Sequence, residues 1–323
     1  MKKHLLFSLL FLFSFSLIAQ QTSFIDLSAS ESKLEVLSST PDKLILNTSV
    51  DNFEWSTTTV PIYGAFTELK VEGMTFASTV GQPKFPVYSN LIEVPYGATI
   101  DVVITGYTEE VIDLDQMGLP RIIPAQPSYS KSSDPNDRVF QIDNKYYNTN
   151  ALVESELVKT EINGIMRGVR IGRVEVCPYH YNPVGNELIV YNNLTFEIQF
   201  KNADHVTTEQ NKSRYFTPDF EPSYNMLLNY RAPAAKDAFT DYSAPLKYVI
   251  VAERMMETTL QPFVQWKEES GFNVIEAYTD VIGSSSAAIT SYLQGLYDAA
   301  TPSDPAPLYV LIIGDHGDIP GQA

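Results

Sequence analysis

Leu308-Tyr-Val-Leu-Ile-Ile-Gly-Asp-His-Gly-Asp-Ile-Pro320 decides the fold of the C-terminal part of the chain. From Leu308 to Ile313 no charged side chain interrupts the run, as expected of a parallel strand covered on both faces. The strand then runs straight into Gly314, Asp315, His316 and Asp318. The densest group of polar functional residues thus falls at a strand's carboxyl end, where open α/β sheets bind ligands.

Working back from there, Asn273–Ala277 and Tyr248–Ala252 are two earlier apolar strands. Leu260, Phe263, Val264 and Lys267 space as one face of a helix that Gly271 is placed to end. Ile289, Tyr292, Leu293, Leu296 and Tyr297 mark a second helix, with Ser284, Ser285 and Ser286 available as its N-cap. The natural reading is two right-handed βαβ units. Three strands alone leave open edges, so the sequence is expected to stop partway through this α/β domain.

Upstream, from Phe24 to Phe200, the period changes. Leu194, Phe196, Ile198 and Phe200 alternate with polar residues, which makes a half-buried strand. Turns are expected at Pro183–Glu187 and Tyr191–Asn193, on either side of Leu188–Val190. Val169 and Ile171 share one parity and Val174 and Val176 the other, so Gly172 marks a β-bulge that resets the inward face. Lys43–Leu46 and Ile100–Ile104 add strands, and the whole reads as a sandwich. Prolines make Gly81–Tyr88 extended and rigid, while Pro124–Asp137 is a polar loop too long for a simple connection. Residues 201–245 hold few aliphatic residues and end in alternating Ala, Pro and charge, which reads as an exposed linker.

The N-terminus has the form of a secretory signal. Lys2 and Lys3 precede an apolar run from Leu5 to Ile18, too short to span a bilayer well, and Ala19 precedes the expected cut. No other stretch is apolar enough for a stable membrane span. The net charge of −17 repels phosphate backbones, which argues against nucleic acid as a partner. Cys177 is the one cysteine, so no internal disulfide forms. It ends a strand-like run with only His180 close in sequence, and its reading is structural.

The run from Tyr248 to Pro320 resembles the start of the catalytic domain of gingipain-type cysteine peptidases, the C25 family. The carrying residues are Tyr248–Ala252, then Phe263-Val-Gln-Trp-Lys267 with Gly271, then Tyr309–Pro320. Gly81-Gln-Pro-Lys-Phe-Pro86, followed by Val94-Pro95, is similar to the propeptide domain that precedes such enzymes. The resemblance implies a multidomain precursor. After a signal peptide (1–19) would come an all-β, sandwich-like propeptide domain (20–200) and a processing linker (201–245). The first βαβαβ part of a caspase-like α/β catalytic domain (246–323) would follow.

It implies an exported cysteine-type endopeptidase, secreted or at the cell surface, that acts on protein substrates. The thiolate and histidine base lie downstream of Ala323 in the family, so this stretch alone is expected to be inactive. Cys177 falls in the propeptide, and His316 precedes the family's catalytic histidine. The expected partner of the propeptide is its own peptidase domain, which such propeptides inhibit and help to fold. On this reading the Pro124–Asp137 loop enters the cleft, with Lys131 imitating a substrate side chain, and Arg231 is the processing site. The resemblance also puts a calcium ligand at Asp315, although one carboxylate falls short of the roughly six to eight oxygens calcium takes. The other reading has Asp315 or Asp318 capping a turn.

A second function class is a secreted β-sandwich binding or adhesion protein with a non-catalytic α/β domain. The order of β-domain, linker and α/β start is the order a zymogen needs. Nucleotide binding fails at Glu253-Arg-Met-Met256, which lacks the glycines that let a backbone approach a phosphate.

Overall fold

The computed structural model describes residues 23–77, 79–131, 134, 138–233, 245–301, 304–315, 317 and 319. The signal segment, His316 and Asp318 lie outside the described residues.

The β-rich part begins with β1 (Ser23–Asp26), β2 (Lys33–Ser39), β3 (Lys43–Ser49), β4 (Asn52–Val60), β5 (Gly64–Lys70) and β6 (Thr75–Phe76). It continues with β7 (Pro86–Glu93), β8 (Thr99–Asp113), one helical turn α1 (Asn144–Tyr147), β9 (Val158–Met166), β10 (Val169–Val176), β11 (Tyr179–Asn182) and β12 (Glu187–Lys201). Three sheets result: β1-β4-β5, β6-β7-β10-β9, and β11-β12-β3-β2 with β8 added along β12. The last of these is shared by two cores. Ile25, Phe53 and Leu69 cluster with Tyr179, Tyr181, Leu188 and Val190. Leu44, Leu46, Phe196 and Ile198 cluster with Tyr88, Ile92, Val174 and Val176.

One strand joins the two cores. The turn expected at Tyr191–Asn193 is instead a bulge inside the 15-residue β12. Its first half pairs with β11, its second half with β3, and β8 follows the opposite edge throughout. The cause is local. Asn193 takes a left-handed φ of 50°, and the Asn192 side chain supplies the hydrogen bonds that the interrupted ladder loses. Its amide donates to the Val50 carbonyl (2.7 Å) and to Glu110 Oε1 (2.7 Å), and its oxygen accepts the Val50 N–H (3.0 Å). A residue whose side chain bonds backbone in this way offers an alternative to a regular ladder.

The second bulge falls where expected. The β9–β10 register shifts between Ile171 and Gly172. Val169 and Ile171 join one core cluster while Val174 and Val176 join another. A Cβ on Gly172 would meet Val94 Cγ2 at 2.9 Å, so the site also needs glycine for space.

The linker expectation needs correction over residues 205–231. This stretch forms α2 (His205–Tyr215), a 3-10 turn at Pro218–Phe220, and α3 (Glu221–Tyr224), all folded onto the β-rich body. Asp204 caps α2 by accepting the Thr207 N–H at 2.9 Å. No apolar stripe announces α2, because its buried residues are Thr208, Lys212 and Tyr215. Lys212 is buried by pairing with Glu93, Nζ to Oε1 2.7 Å.

The α/β part comprises β13 (Lys247–Ala252), α4 (Glu257–Glu269), β14 (Asn273–Tyr278), a short α5 (Thr279–Ile282), α6 (Ser286–Asp298) and β15 (Tyr309–Ile313). The strands are parallel in the order β14-β13-β15. Leu260 and Val264 of α4 cluster with Ile250 and Ala252 on one face, and Ile289 of α6 with Val249 and Val251 on the other. Alternation along β13 thus buries successive residues under opposite helices. Gly271, at φ 92°, ends α4, and the Ser285 hydroxyl caps α6 by accepting the Ala288 N–H at 3.2 Å.

Candidate functional site

Three places carry functional residues, and each can be traced to local sequence. The first is the carboxyl edge of the parallel sheet. Leaving β15, Asp315 folds back so that its Oδ1 accepts the Gly317 N–H at 2.7 Å and its carbonyl the Ile319 N–H at 2.9 Å. Asp315 therefore closes a turn, one of the two roles open to it. Beside it, after β13 and β14, the charges pair among themselves. The Arg254 guanidinium donates to Asp280 Oδ2 at 3.1 Å and lies 4.1 Å from the Tyr278 ring. Burial first, and then Glu276, hold the Tyr278 phenol above its usual value. Among the described residues no group of three His, Cys, Asp or Glu stands together to hold a metal.

The second place is the junction between the β-rich and α/β parts. The β9–β10 hairpin turns through Arg167 (φ 45°) and Gly168 (φ 80°), the two positive-φ positions of a type I′ turn. At this tip Arg167 Nη1 donates to the Pro307 carbonyl at 2.7 Å. Arg214, in the last turn of α2, donates to the carbonyls of Asp298 and of Ala300 (3.1 Å). The Asp298 carbonyl ends α6 and Ala300 lies just past its cap, where a helix has orphan acceptors and a negative dipole end that favours a cation. Tyr215 stacks on Tyr297 with centroids 4.3 Å apart and planes at 9°.

The third place is the segment ending at Arg231. Leu227 and Leu228 lie along β7, with the Leu228 N–H donating to the Leu91 carbonyl at 3.0 Å. Asn229 holds the Glu93 backbone from both sides, accepting its N–H at 2.7 Å and donating to its carbonyl at 2.9 Å. Glu93 Oε2 accepts the Arg231 N–H at 3.1 Å, and the Arg231 guanidinium donates to the Ser39 carbonyl. The Arg231 side chain is exposed, as expected of a processing site, yet it is tethered.

Family models divide the chain along this junction. The C25 propeptide model matches residues 30–217, and the model of peptidase family C25 matches residues 241–322. The chain belongs to the gingipain-type C25 peptidase family. It carries the C25 propeptide domain followed by the start of the C25 peptidase domain, in a family of cysteine peptidases. A Lys-gingipain of Porphyromonas gingivalis is 34% identical over 265 residues, which is 80% of this chain and 15% of that relative. Gingipain R1 of the same organism is 26% identical over 278 residues, 84% of this chain and 26% of that relative. The C25 chain thus spans a small part of the length of the relatives it matches.

Among solved structures, one on the zymogenic latency of P. gingivalis gingipain K aligns with a TM-score of 0.52 at 33% identity, covering 57% of this chain and 100% of that one. A complex of the pro- and mature domains of P. gingivalis RgpB aligns with a TM-score of 0.50 at 18% identity, covering 62% of this chain and 98% of that one, a likeness of fold.

Within this C25 chain Cys177 is half-buried, and the charges that act on it are Glu175 and Lys159. Burial pushes its thiol up to about 12. His180, the nearest histidine in sequence, is engaged by the Tyr191 hydroxyl at 2.9 Å and the Ser155 carbonyl at 3.0 Å. Lys131 is exposed on the long loop. The base of that loop is pinned by Gln126, whose Nε2 donates to the Gln141 carbonyl (2.8 Å) and whose Oε1 accepts the Gln141 N–H (2.9 Å). Sequence reasoning singled out neither Arg167, Arg214 and Tyr215 nor Glu93, Asn229 and Lys212. The available signals were the Arg-Gly pair between two strand-like runs and the Asp204 cap with Thr207 and Thr208 behind it.

Proposed function

We propose that this chain is the leading part of an exported cysteine endopeptidase zymogen, whose β-rich domain restrains the peptidase domain and assists its folding. The observation that carries this reading is the docking of the hairpin tip and α2 on the end of α6 and the approach to β15, through Arg167, Arg214 and Tyr215. A propeptide that grips α6 and the approach to β15 is placed to template that sheet and to stay on it. The α/β part is the beginning of a caspase-like sheet, and residues 1–323 are inactive by themselves, since their one cysteine is a half-buried propeptide thiol held protonated. Export follows from the apolar segment Leu5–Ile18. The loop bearing Lys131 enters the substrate cleft, and Arg231 is the residue after which the precursor is cut.

The test adds residues 20–233 in trans to the mature peptidase of the same protein. Hydrolysis of peptide substrates should fall as the propeptide is titrated in, and less so when residues 126–135 are replaced by Gly and Ser. Full activity at saturating propeptide would sink the restraint. Equal inhibition by the loop variant would remove Lys131 and its loop from the reading.

A further inference from the structure

The segment that ends at Arg231 is not held as a substrate is held. A peptidase takes its substrate as an extended chain, with backbone N–H groups pairing to the cleft and the side chain before the scissile bond free to enter a pocket. Here the Arg231 N–H is given to Glu93 Oε2 (3.1 Å) and the guanidinium to the Ser39 carbonyl. The acceptor is itself fixed. Glu93 and Lys212 are 7% and 2% exposed, Lys212 Nζ lies 2.7 Å from Glu93 Oε1, and Asn229 holds the Glu93 backbone from both sides. Tyr230 stacks on Tyr224 at 5.0 Å and lies against the Lys212 ammonium, 5.3 Å from its ring. A cleft of about 440 Å³ is lined by this segment, the β2–β3 turn and α2.

We propose that Glu93 is the catch of a latch that shields the Arg231–Ala232 bond, so that cleavage waits for residues 227–231 to peel away from β7. The proposal rests on the reading of Arg231 as the processing site. The bond is cut from the detached state, and when opening and closing are fast the rate of cutting follows the population of that state. The same α2 carries Lys212 to the latch and Arg214 and Tyr215 to the peptidase half, so the shield and the docking share one helix. After the cut, residues up to Arg231 stay with the propeptide.

Glu93→Met with Lys212→Met removes both charges together, leaves no buried ion unpaired and takes away the acceptor of the Arg231 N–H. The folded chain is treated with trypsin, and mass spectrometry follows the cut after Arg231 against the cut after exposed Lys131 in the same sample. Relative to Lys131, the cut after Arg231 should become about tenfold faster or more, as expected when a hydrogen bond to a charged group is lost from the closed state. An unchanged ratio overturns the latch. So does an equal rise at both positions, which reports general loosening. Asn229→Ala, which keeps the ion pair and removes only the bonds to the Glu93 backbone, should shift the ratio in the same direction if the double variant does not fold. N-terminal sequencing of the mature enzyme tests the underlying reading separately. A start other than Ala232 removes Arg231 as the processing site while the trypsin ratio still reports on the latch.

Discussion

At the scale of single residues, burial and hydrogen bonding decide which ionisable groups do chemistry. Cys177 is the clearest case. With its thiol at about 12, only about one molecule in ten thousand carries thiolate at pH 8. Iodoacetamide should therefore label the folded chain far more slowly than the urea-unfolded chain, and mass spectrometry of the Cys177 peptide checks it. Labelling at equal rates would contradict a half-buried thiol kept protonated. Glu110 shows the opposite balance. Burial works against its charge, but hydrogen bonds from the Ser28 hydroxyl, the Asn192 amide and the Ser28 N–H outweigh it and lower the carboxyl below 4.5. A lowered folded-state value adds stability that is present above the unfolded value and lost as pH falls through the folded one. Glu110→Gln should therefore have a lower urea midpoint than the parent at pH 7, with the gap closing below about pH 4.5.

At the scale of elements, two turns set what the strands can reach. The β9–β10 hairpin brings Arg167 to the peptidase half only because Gly168 lies flat against α2. A Cβ at Gly168 would stand 2.4 Å from the Asn211 carbonyl oxygen, at a φ of 80°. Gly168→Ala should cost about 2–4 kcal/mol, from backbone strain and displaced helix together. Gly118, also at positive φ but with nothing within 4 Å of its Cβ position, should lose only about 1–2 kcal/mol on the same change. Urea unfolding of the two variants compares them, and equal losses would mean that α2 does not press on the hairpin. The β12 bulge makes the same point. Leu188–Val190 and Leu194–Phe200 were legible as strands, but their union in one strand follows from Asn192 finding Val50 and Glu110 across the core. Those partners lie far away in the chain, and no local pattern points to them.

At the scale of the whole molecule, two halves with separate main cores meet at the end of α6 through the Arg167 and Arg214 hydrogen bonds and a small apolar cluster of Tyr215, Tyr297, Ala300 and Ala306. Arg214→Ala with Tyr215→Ala should raise hydrogen exchange at the carboxyl end of α6 and around Pro307, while the β12 and β3 amides keep their protection. Unchanged exchange at α6 would mean that the junction adds no stability there. Sequence alone determined the alternation of strands, the bulge at Gly172, both βαβ helices with a serine cap among Ser284, Ser285 and Ser286 and a Gly271 stop, and the order of β-domain before α/β domain. These follow from side-chain period and backbone preference, which are local properties. Tertiary structure alone decided that residues 205–231 are folded. Their buried face is Thr208, Lys212 and Tyr215, and a lysine reads as exposed until Glu93 from β7 stands opposite it. It also decided that Arg231 is tethered, because its partners, Glu93 and Ser39, come from strands far earlier in the chain. A charge pattern shows that a residue can pair, and only the fold supplies the partner.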